Sequence, residues 1–198
     1  MGIEHQDPLT TFERWMDKAS RTETNNPNAM TLATVGEDGR PSARMVLLKE
    51  AGPEGFVFYT NLESRKSQQL GENANAALLF HWKSLDRQIR IEGPVHAVSA
   101  DEADAYFASR PRASQLGAWA SRQSRPMEGI AALEKQIAFY TAKFHVGPVP
   151  RPEFWSGFCL KPERFEFWQE GKFRLHTRFL FTQAQQHPQE WVVQRLFP

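Results

Sequence analysis

The chain has 198 residues, 40% hydrophobic and 24% charged, which is enough to bury one substantial core. Its formal net charge of +1 gives no basic excess, so we expect neither a nucleic-acid nor a membrane partner, and the absence of long apolar runs favours a cytoplasmic protein. The single cysteine, Cys159, excludes an internal disulfide and a cysteine-cluster metal site, and we expect no metal.

The first part of the chain is predicted to hold one helix followed by a series of strands. Apolar residues at helical spacing predict an amphipathic helix over residues 9–22. Turns at Gly36–Gly39 and at Gly52-Pro53 then separate short β-rich runs, the first two of which form a hairpin. The first predicted strand covers Ala29–Val35, and the second follows the turn at Gly36–Gly39 and ends near Glu50. The other predicted elements are strands over Phe56–Thr60, Ala76–Trp82 and Arg87–Val98, and a short helix over Ser64–Asn73.

The second part is predicted to be helical first and then to return to strands. Ser99 is the expected N-cap of a helix over Ala100–Ser109, with Glu102 completing a capping box, and Pro111 ends this helix. The remaining predictions are a helix over Gly129–Phe144, a rigid linker over Val146–Pro152, and strands over Gly157–Leu160, Arg164–Trp168, Arg174–Phe181 and Trp191–Leu196. Eight to nine strands with three to four helices favour a mainly β, mostly antiparallel barrel with flanking helices, in a single domain over residues 1–198.

Two basic clusters lie on either side of the third predicted strand. Arg44 and Lys49 bracket an apolar run, so a buried strand here would place one positive charge at each rim. Arg65 and Lys66 follow a plausible N-cap, Ser64, where the helix dipole makes two cations unfavourable by about 0.3–1 kcal/mol unless an anion is present. Amides, a hydroxyl, Arg and Lys together are typical of a phosphate site, and a solvated helix start is the alternative.

Two further patterns concern single elements. In the run from Arg87 to Glu92, polar side chains alternate with isoleucines, and Gln88 could read the edge of a heterocycle; a solvated sheet face is the alternative. Tyr106, Arg110 and Ser114 converge at a helix end, where they could hold a second phosphate, unless the arginine only complements the helix dipole.

A last pattern lies near the carboxyl end of the chain. Gly171 is predicted to form a hairpin turn, and Arg174, His176 and Arg178 would then share one side of the following strand. Three cationic or titratable side chains in a row repel one another, so this pattern favours an anionic or electron-rich ligand over a purely structural role.

Taken together, these segments resemble the pyridoxine/pyridoxamine 5'-phosphate oxidase family of flavoproteins, from about Ala29 to Pro198. Each segment is short, and the specificity lies in finding all of them in order. They are Arg-Met-Val-Leu-Leu-Lys (44–49), Phe-Tyr-Thr-Asn (58–61), Ser-Arg-Lys (64–66), Arg-Gln (87–88), Ser-Arg-Pro-Arg-x-Ser (109–114), Gln-Ser (123–124), Phe-Trp-Gln (167–169), Arg-Leu-His-x-Arg (174–178) and the Arg-Leu-x-Pro ending (195–198).

The resemblance implies an FMN-binding split barrel that forms a homodimer, with FMN at each end of the interface. It implies an oxidase that converts pyridoxamine 5'-phosphate and pyridoxine 5'-phosphate to pyridoxal 5'-phosphate. Dioxygen would be the acceptor, giving hydrogen peroxide, and the amine substrate would also release ammonia. Residues 1–28 would form the N-terminal helical segment of this single domain, and residues 153–198 would form its C-terminal β segment, which completes the site.

The same resemblance assigns roles to individual residues. Arg65 and Lys66 would hold the FMN phosphate, and Arg174 and His176 would be the catalytic residues that orient the pyridine ring. The substrate phosphate would contact Lys49, Tyr106, Arg110 and Ser114. FMN would contact Arg44, Met45, Val46, Leu47, Leu48, Lys49, Tyr59, Thr60, Arg65, Lys66, Gln88, Gln123, Ser124, Trp168 and Arg178.

Two departures from the family pattern leave alternatives open. Position 177 is Thr where the family usually has Asp, and residues 1–28 do not match the family's substrate-covering arm. One alternative is a sister flavin oxidase acting on another aromatic substrate, as in phenazine biosynthesis, against which the cluster around Arg110 argues. The other is a flavin- or pyridoxal-phosphate-binding protein with little turnover, which only Thr177 supports.

Overall fold

Ten strands and five α-helices make up the part of the chain that the computed structural model describes, residues 7–184 and 190–198. The helices are α1 (Pro8–Thr22), α2 (Arg65–Glu72), α3 (Ala100–Ser109), α4 (Arg112–Ala120) and α5 (Ile130–Lys143). The strands are β1 (Ala29–Val35), β2 (Pro41–Leu47), β3 (Glu50–Gly52), β4 (Gly55–Asn61), β5 (Asn75–Trp82), β6 (Arg87–Ala97), β7 (Trp155–Leu160), β8 (Arg164–Gln169), β9 (Thr177–Gln183) and β10 (Trp191–Leu196). No helix within these ranges is long and apolar enough to cross a membrane.

The strands form one curled antiparallel sheet. Seven of them follow the order β10-β9-β8-β6-β5-β1-β2. The long strand β6 pairs with β8 along its first half and then, from Val95, with β7, which in turn pairs with β4. This change of partner folds the sheet back on itself at Gly93, where a Cβ would lie 2.0 Å from the carbonyl oxygen of Lys161. The predicted mainly β, antiparallel architecture with flanking helices is confirmed.

The inner face of this sheet and helix α1 form the main core. The amphipathic helix contributes Phe12 and Trp15, whose rings meet Phe56 and Phe167 edge to face at centroid distances of 4.9 and 5.3 Å. Alternate residues of the central strands are fully buried, among them Ile89. Each buried aromatic or branched side chain contributes about 1.5–3 kcal/mol relative to leaving it exposed. The core therefore fixes which side chains of each strand remain on the outer face.

A smaller aromatic cluster joins helices α3, α4 and α5 to the end of the sheet. Phe107, Leu116, Val149 and Trp155 are its buried members. Tyr59 and Tyr106 pack against this cluster from β4 and α3. The cluster holds the helices beside strand β4, and the open space between them is the cleft described below.

Several predicted elements have the observed bounds, and others need correction. Strands β1 and β10 and helix α3 begin and end where predicted. Helix α4 is absent from the sequence prediction, in which Pro111 ends a helix. Proline is also well tolerated at a helix start, and here it is the N-cap residue of α4. The second strand ends at Leu47 rather than near Glu50, and residues 50–52 form the separate strand β3, which raises the strand count.

Candidate active site

A cleft of about 610 Å³ opens between strands β2 and β4 on one side and helices α3 and α4 on the other. It is lined by many of the residues that the sequence singled out, although they come from distant parts of the chain. These are Met45, Val46, Leu47, Lys49, Tyr59, Thr60, Lys66, Tyr106, Arg110, Ser114 and Gln123. The lining also includes residues that sequence reasoning missed, namely Asn61, Pro111, Gly117, Ala118, Ser121 and Trp155.

Lys66 is a buried cation at one end of this lining. Its side chain lies at the start of α2 and the residue is only 8% exposed. Its Nζ donates hydrogen bonds to Thr60 Oγ1 and Ser64 Oγ, each at 3.0 Å, and to Gln123 Oε1 at 3.3 Å. Burial lowers the pKa of Lys66 to about 8, and the positive charge of the nearby Arg44 makes a smaller contribution to this shift.

All three acceptors of Lys66 are neutral, and among the described residues no carboxylate forms an ion pair with it. A buried charge is normally paired, because desolvation is costly. The missing partner therefore indicates an anion site. Ser64 occupies the predicted N-cap position, but its hydroxyl makes no capping bond and contacts Lys66 and Ser67 instead.

Arg65 and Ser124 lie next to Lys66, but the arginine side chain takes another direction. The backbone N–H of Arg65 donates to Ser124 Oγ at 3.3 Å. The Arg65 side chain is exposed and lines a neighbouring groove with Glu72. The two cations predicted to act together on one phosphate thus differ in burial, and Lys66 is the one inside the cleft.

The segment from Arg44 to Lys49 is not the buried strand that the sequence analysis considered for it. Strand β2 is the edge of the sheet, so its outward residues Met45 and Leu47 are 62% and 40% exposed. The guanidinium of Arg44 donates from Nη1 to Leu32 O at 3.0 Å and to a threonine hydroxyl, and burial lowers its pKa. Leu48 is buried in the main core, and only its neighbours reach the cleft.

A stack of aromatic rings forms a second wall of the cleft and carries a second cation. The rings of Tyr59 and Tyr106 are stacked at 4.0 Å, and Trp155 lies parallel to Tyr59 at 5.4 Å. The guanidinium carbon of Arg110 lies 4.8 Å from the Trp155 ring centre, and Lys49 Nζ lies 5.6 Å from that of Tyr106.

Arg110 is the cation of this wall that has an unpaired nitrogen in the described part of the chain. Its Nη1 atom is buried without a hydrogen-bond partner among the described residues. Burial lowers the pKa of Arg110, and Tyr106 opposes this shift. Together with Lys66, the cleft therefore has two separate positions at which a desolvated cation lacks an anion.

A second group of predicted residues lies outside this lining. Gln88, Trp168 and Arg178 are neighbours across β6, β8 and β9, because Trp168 pairs with the other two in the sheet. The ring of His176 lies 4.6 Å from that of Trp168, and its Nδ1 is 3.3 Å from the backbone N–H of Gly171. Within one chain, the structure does not bring these residues to the cleft.

The prediction that Arg174, His176 and Arg178 lie on one strand is wrong, because only Arg178 belongs to β9. Strand β9 begins only at Thr177, opposite Gln169, and Arg174 ends a short 3-10 turn with φ of +63°. The turn is tight: a Cβ on Gly171 would lie 2.0 Å from the carbonyl oxygen of Leu175. Thr177, at which β9 begins, is the first β-branched residue after Gly171, and this is the available signal that the strand begins later.

The comparisons with known proteins place the chain in a family. A family model described as "Pyridoxamine 5'-phosphate oxidase" matches residues 16–142, which is more than half of the chain. The chain belongs to the pyridoxamine 5'-phosphate oxidase family. A second model, "Pyridoxine 5'-phosphate oxidase C-terminal dimerisation region", matches residues 155–198 and so includes Trp168, His176 and Arg178 of the second group.

Curated members of the family are similar over nearly the whole chain. The pyridoxine/pyridoxamine 5'-phosphate oxidase of Bartonella quintana is 54% identical over 196 residues, covering 99% of this chain and 95% of that protein. The protein of the same name from Brucella canis is 54% identical over 192 residues, covering 97% and 94%. The family that the sequence motifs resembled is thereby confirmed.

Solved structures agree with this family on the fold. PhzG from Burkholderia lata, solved with tetrahydrophenazine-1-carboxylic acid, has a TM-score of 0.89 at 30% identity. The aligned region includes all of this chain and 98% of the PhzG chain. A pyridoxamine 5'-phosphate oxidase-related, FMN binding protein from Nostoc punctiforme has a TM-score of 0.78 at 18% identity; 98% of this chain and all of that one are covered, and it supports the fold alone. The predicted split-barrel fold is confirmed.

Proposed function

We propose that this chain is an FMN-dependent oxidase that converts pyridoxamine 5'-phosphate and pyridoxine 5'-phosphate to pyridoxal 5'-phosphate, with dioxygen as the acceptor. Family membership and the names of relatives at 54% identity support this activity. The structural observation that carries it is the pair of desolvated cations in one cleft, Lys66 and Arg110, neither of which has an anionic partner among the described residues. One suits the phosphate of FMN, and the other suits the phosphate of the substrate.

The residues around Lys66 fit the phosphate end of FMN. A phosphate there would receive the Lys66 charge together with hydroxyl or amide groups from Thr60, Ser64 and Gln123, which already surround Nζ. When bound, FMN supplies the redox chemistry by accepting a hydride from the substrate and delivering the electrons to dioxygen. The contribution of the chain is to hold and align the reactants.

The residues around Arg110 fit the substrate. Its guanidinium, with Lys49, Tyr106 and Ser114, would hold the substrate phosphate. The stacked rings beside it would exclude water from the bound molecule, which strengthens these charge-assisted contacts. Arg174 and His176, which lie outside the cleft lining of their own chain, would orient the pyridine ring of the substrate.

The proposed site needs two copies of the chain. His176, Trp168 and Arg178 do not line the cleft of their own chain, and they lie in the stretch that matches the dimerisation region of the family. We propose that the partner chain supplies them, within a cytoplasmic homodimer whose small-molecule partners are the substrate and dioxygen. The exposed Met45 and Leu47 on the edge strand are consistent with an apolar interface.

We expect light scattering at micromolar concentration to give twice the chain mass of 22.7 kDa. The reason is that an interface which completes two sites and covers the exposed apolar residues of the sheet edge is of the large, stable kind. The same measurement with FMN added controls for cofactor-dependent association. A particle with the mass of one chain that still holds FMN would contradict the shared site.

The affinity for FMN is expected to fall as pH rises above about 8. The FMN-free protein loses the Lys66 proton near this pH, because its pKa is lowered to about 8, whereas the phosphate binds the protonated amine. Between pH 7 and pH 9 the dissociation constant should therefore rise roughly ten-fold. Titrations of flavin fluorescence across this range measure it.

The matched control for this pH dependence is Lys66→Met, whose weaker FMN binding should not change over the same range.

The stability of the FMN-free chain should change with pH in the opposite direction to its affinity for FMN. Because the folded pKa of Lys66 is below the unfolded one, the unfolded chain binds more protons between them, and stability rises with pH there. An FMN affinity of the wild type that stays constant from pH 7 to pH 9 would contradict the assignment of Lys66.

The test of the function itself is anaerobic reduction of the bound flavin. We expect pyridoxamine 5'-phosphate to bleach the flavin absorbance, and admission of air to restore it with formation of hydrogen peroxide. Pyridoxamine without its phosphate is the matched control, and it should reduce the flavin far more slowly. Bleaching by tetrahydrophenazine-1-carboxylic acid, the compound in the PhzG structure, but not by the phosphate ester would favour the sister activity suggested by the likeness to PhzG.

A further inference from the structure

Glu166 is a buried carboxylate that holds two arginines on neighbouring strands. It lies in β8 between Phe165 and Phe167, which point into the core, so its own side chain belongs to the outer face of the sheet. The residue is nevertheless only 5% exposed. Its Oε2 accepts from Arg90 Nη2 at 2.6 Å, and its Oε1 accepts from Arg178 Nε at 2.8 Å.

The charges around Glu166 form a row across three strands that ends at Arg178. On the far side, Arg90 also pairs with Glu92 at 2.7 Å, and Glu92 lies 3.7 Å from Arg164. The row thus contains three arginines and two glutamates, so one positive charge is left over. Arg178 has Glu166 as its only carboxylate partner among the described residues and shares it with Arg90.

The guanidinium of Arg178 is fixed at two edges. Its Nε and Nη2 atoms lie 2.8 and 2.7 Å from Glu166 Oε1. On the other side, its Nη1 donates to the backbone carbonyl of Phe197 at 3.1 Å. Because the guanidinium is planar, two anchors on different nitrogens define its orientation.

We infer that Glu166 is a positioning residue, which holds Arg178 so that its guanidinium meets FMN in the shared site. This inference rests on the proposed function. An arginine that is already fixed loses less conformational freedom when it binds an anion or an electron-rich ring, so the carboxylate strengthens FMN binding without touching FMN. The buried carboxylate also prevents Arg90 and Arg178 from repelling each other where their strands adjoin.

The test is a double-mutant cycle with FMN affinity as the readout, measured by quenching of flavin fluorescence. Glu166→Gln keeps the shape of the side chain and removes its charge, and it should weaken FMN binding about ten-fold. In an Arg178→Ala background the same change should alter affinity by less than about two-fold, because no guanidinium remains to be positioned. Glu92→Gln, which disturbs the row without contacting Arg178, is the matched control and should leave FMN affinity within about two-fold.

Thermal unfolding without FMN separates positioning from stability. If Glu166→Gln fails to fold, Glu166→Asp keeps the charge while shortening the reach to Arg178, and it takes the same place in the cycle. A folded Glu166 variant with wild-type FMN affinity overturns the inference, and so does an equal loss of affinity in both backgrounds. A wild-type chain that binds no FMN would instead overturn the proposed function.

Discussion

Replacement of Lys66 by methionine is expected to weaken FMN binding by roughly ten- to hundred-fold, the loss typical of a charge-assisted phosphate contact. The FMN-free fold should remain at least as stable, since Lys66 is 8% exposed and, within residues 7–184 and 190–198, its hydrogen-bond partners are all neutral. Methionine fills a similar volume without the desolvated charge. Titration of flavin fluorescence and thermal unfolding without FMN measure the two effects separately.

Two further variants serve as comparisons for Lys66→Met, one at a neighbouring cation and one at a distant lysine. Arg65→Ala should also weaken FMN binding, but by less, because its side chain is exposed and screened by water. Lys18→Met removes an exposed lysine of α1 and should change neither quantity. Wild-type FMN affinity in both Lys66→Met and Arg65→Ala would remove the phosphate of FMN from this end of the cleft.

Replacement of Arg110 by alanine is expected to raise KM for pyridoxamine 5'-phosphate roughly ten- to hundred-fold and to leave kcat nearly unchanged. A phosphate contact remote from the reacting carbon is made equally in the ground state and the transition state. The fold should tolerate the change, because Arg110 has a buried nitrogen that lacks a hydrogen-bond partner in the part of the chain that the structure describes. Steady-state oxygen consumption gives both constants.

The controls for Arg110 test geometry and the division of roles. Arg110→Lys keeps the charge but loses the planar fork and the stacking on Trp155, so it should recover only part of the affinity. His176→Ala should lower kcat, because a misplaced ring harms hydride transfer directly. If Arg110→Ala loses kcat with KM unchanged while His176→Ala raises only KM, the two residues have been assigned the wrong way round.

Local features of the fold could be predicted because local patterns determine them. The hydrophobic alternation of β1 and the N-cap of α3 specify these elements without reference to the rest of the chain. Indeed, the Ser99 hydroxyl accepts from the Glu102 backbone as a capping box requires. The Glu102 carboxylate, however, accepts from the Tyr59 hydroxyl at 3.4 Å, a long-range contact that spacing does not reveal.

The site was predictable only in part for the same reason. Motif order identified Lys66 and Arg110, but it did not distinguish the buried cation Lys66 from the exposed Arg65 beside it. The roles of Trp155 and Glu166 depend on which strands and helices become neighbours, and no short motif carries that information. Glu166 left one trace in the sequence, a charge between two phenylalanines of a strand, and its partners appear only once β6, β8 and β9 are aligned.

The tight turn at Gly171 has a consequence for reading natural variation in this protein. Gly171 has no side chain with which to contact a ligand, yet any Cβ there meets the Leu175 carbonyl and forces the backbone of the turn to take another path. Arg174 directly precedes Leu175 in this turn, and His176 directly follows it, so a displaced backbone would move both side chains. If these two side chains orient the substrate as proposed, a missense change at this glycine would act like the loss of both. A ranking of variants by distance to the cleft of the same chain would score it as harmless.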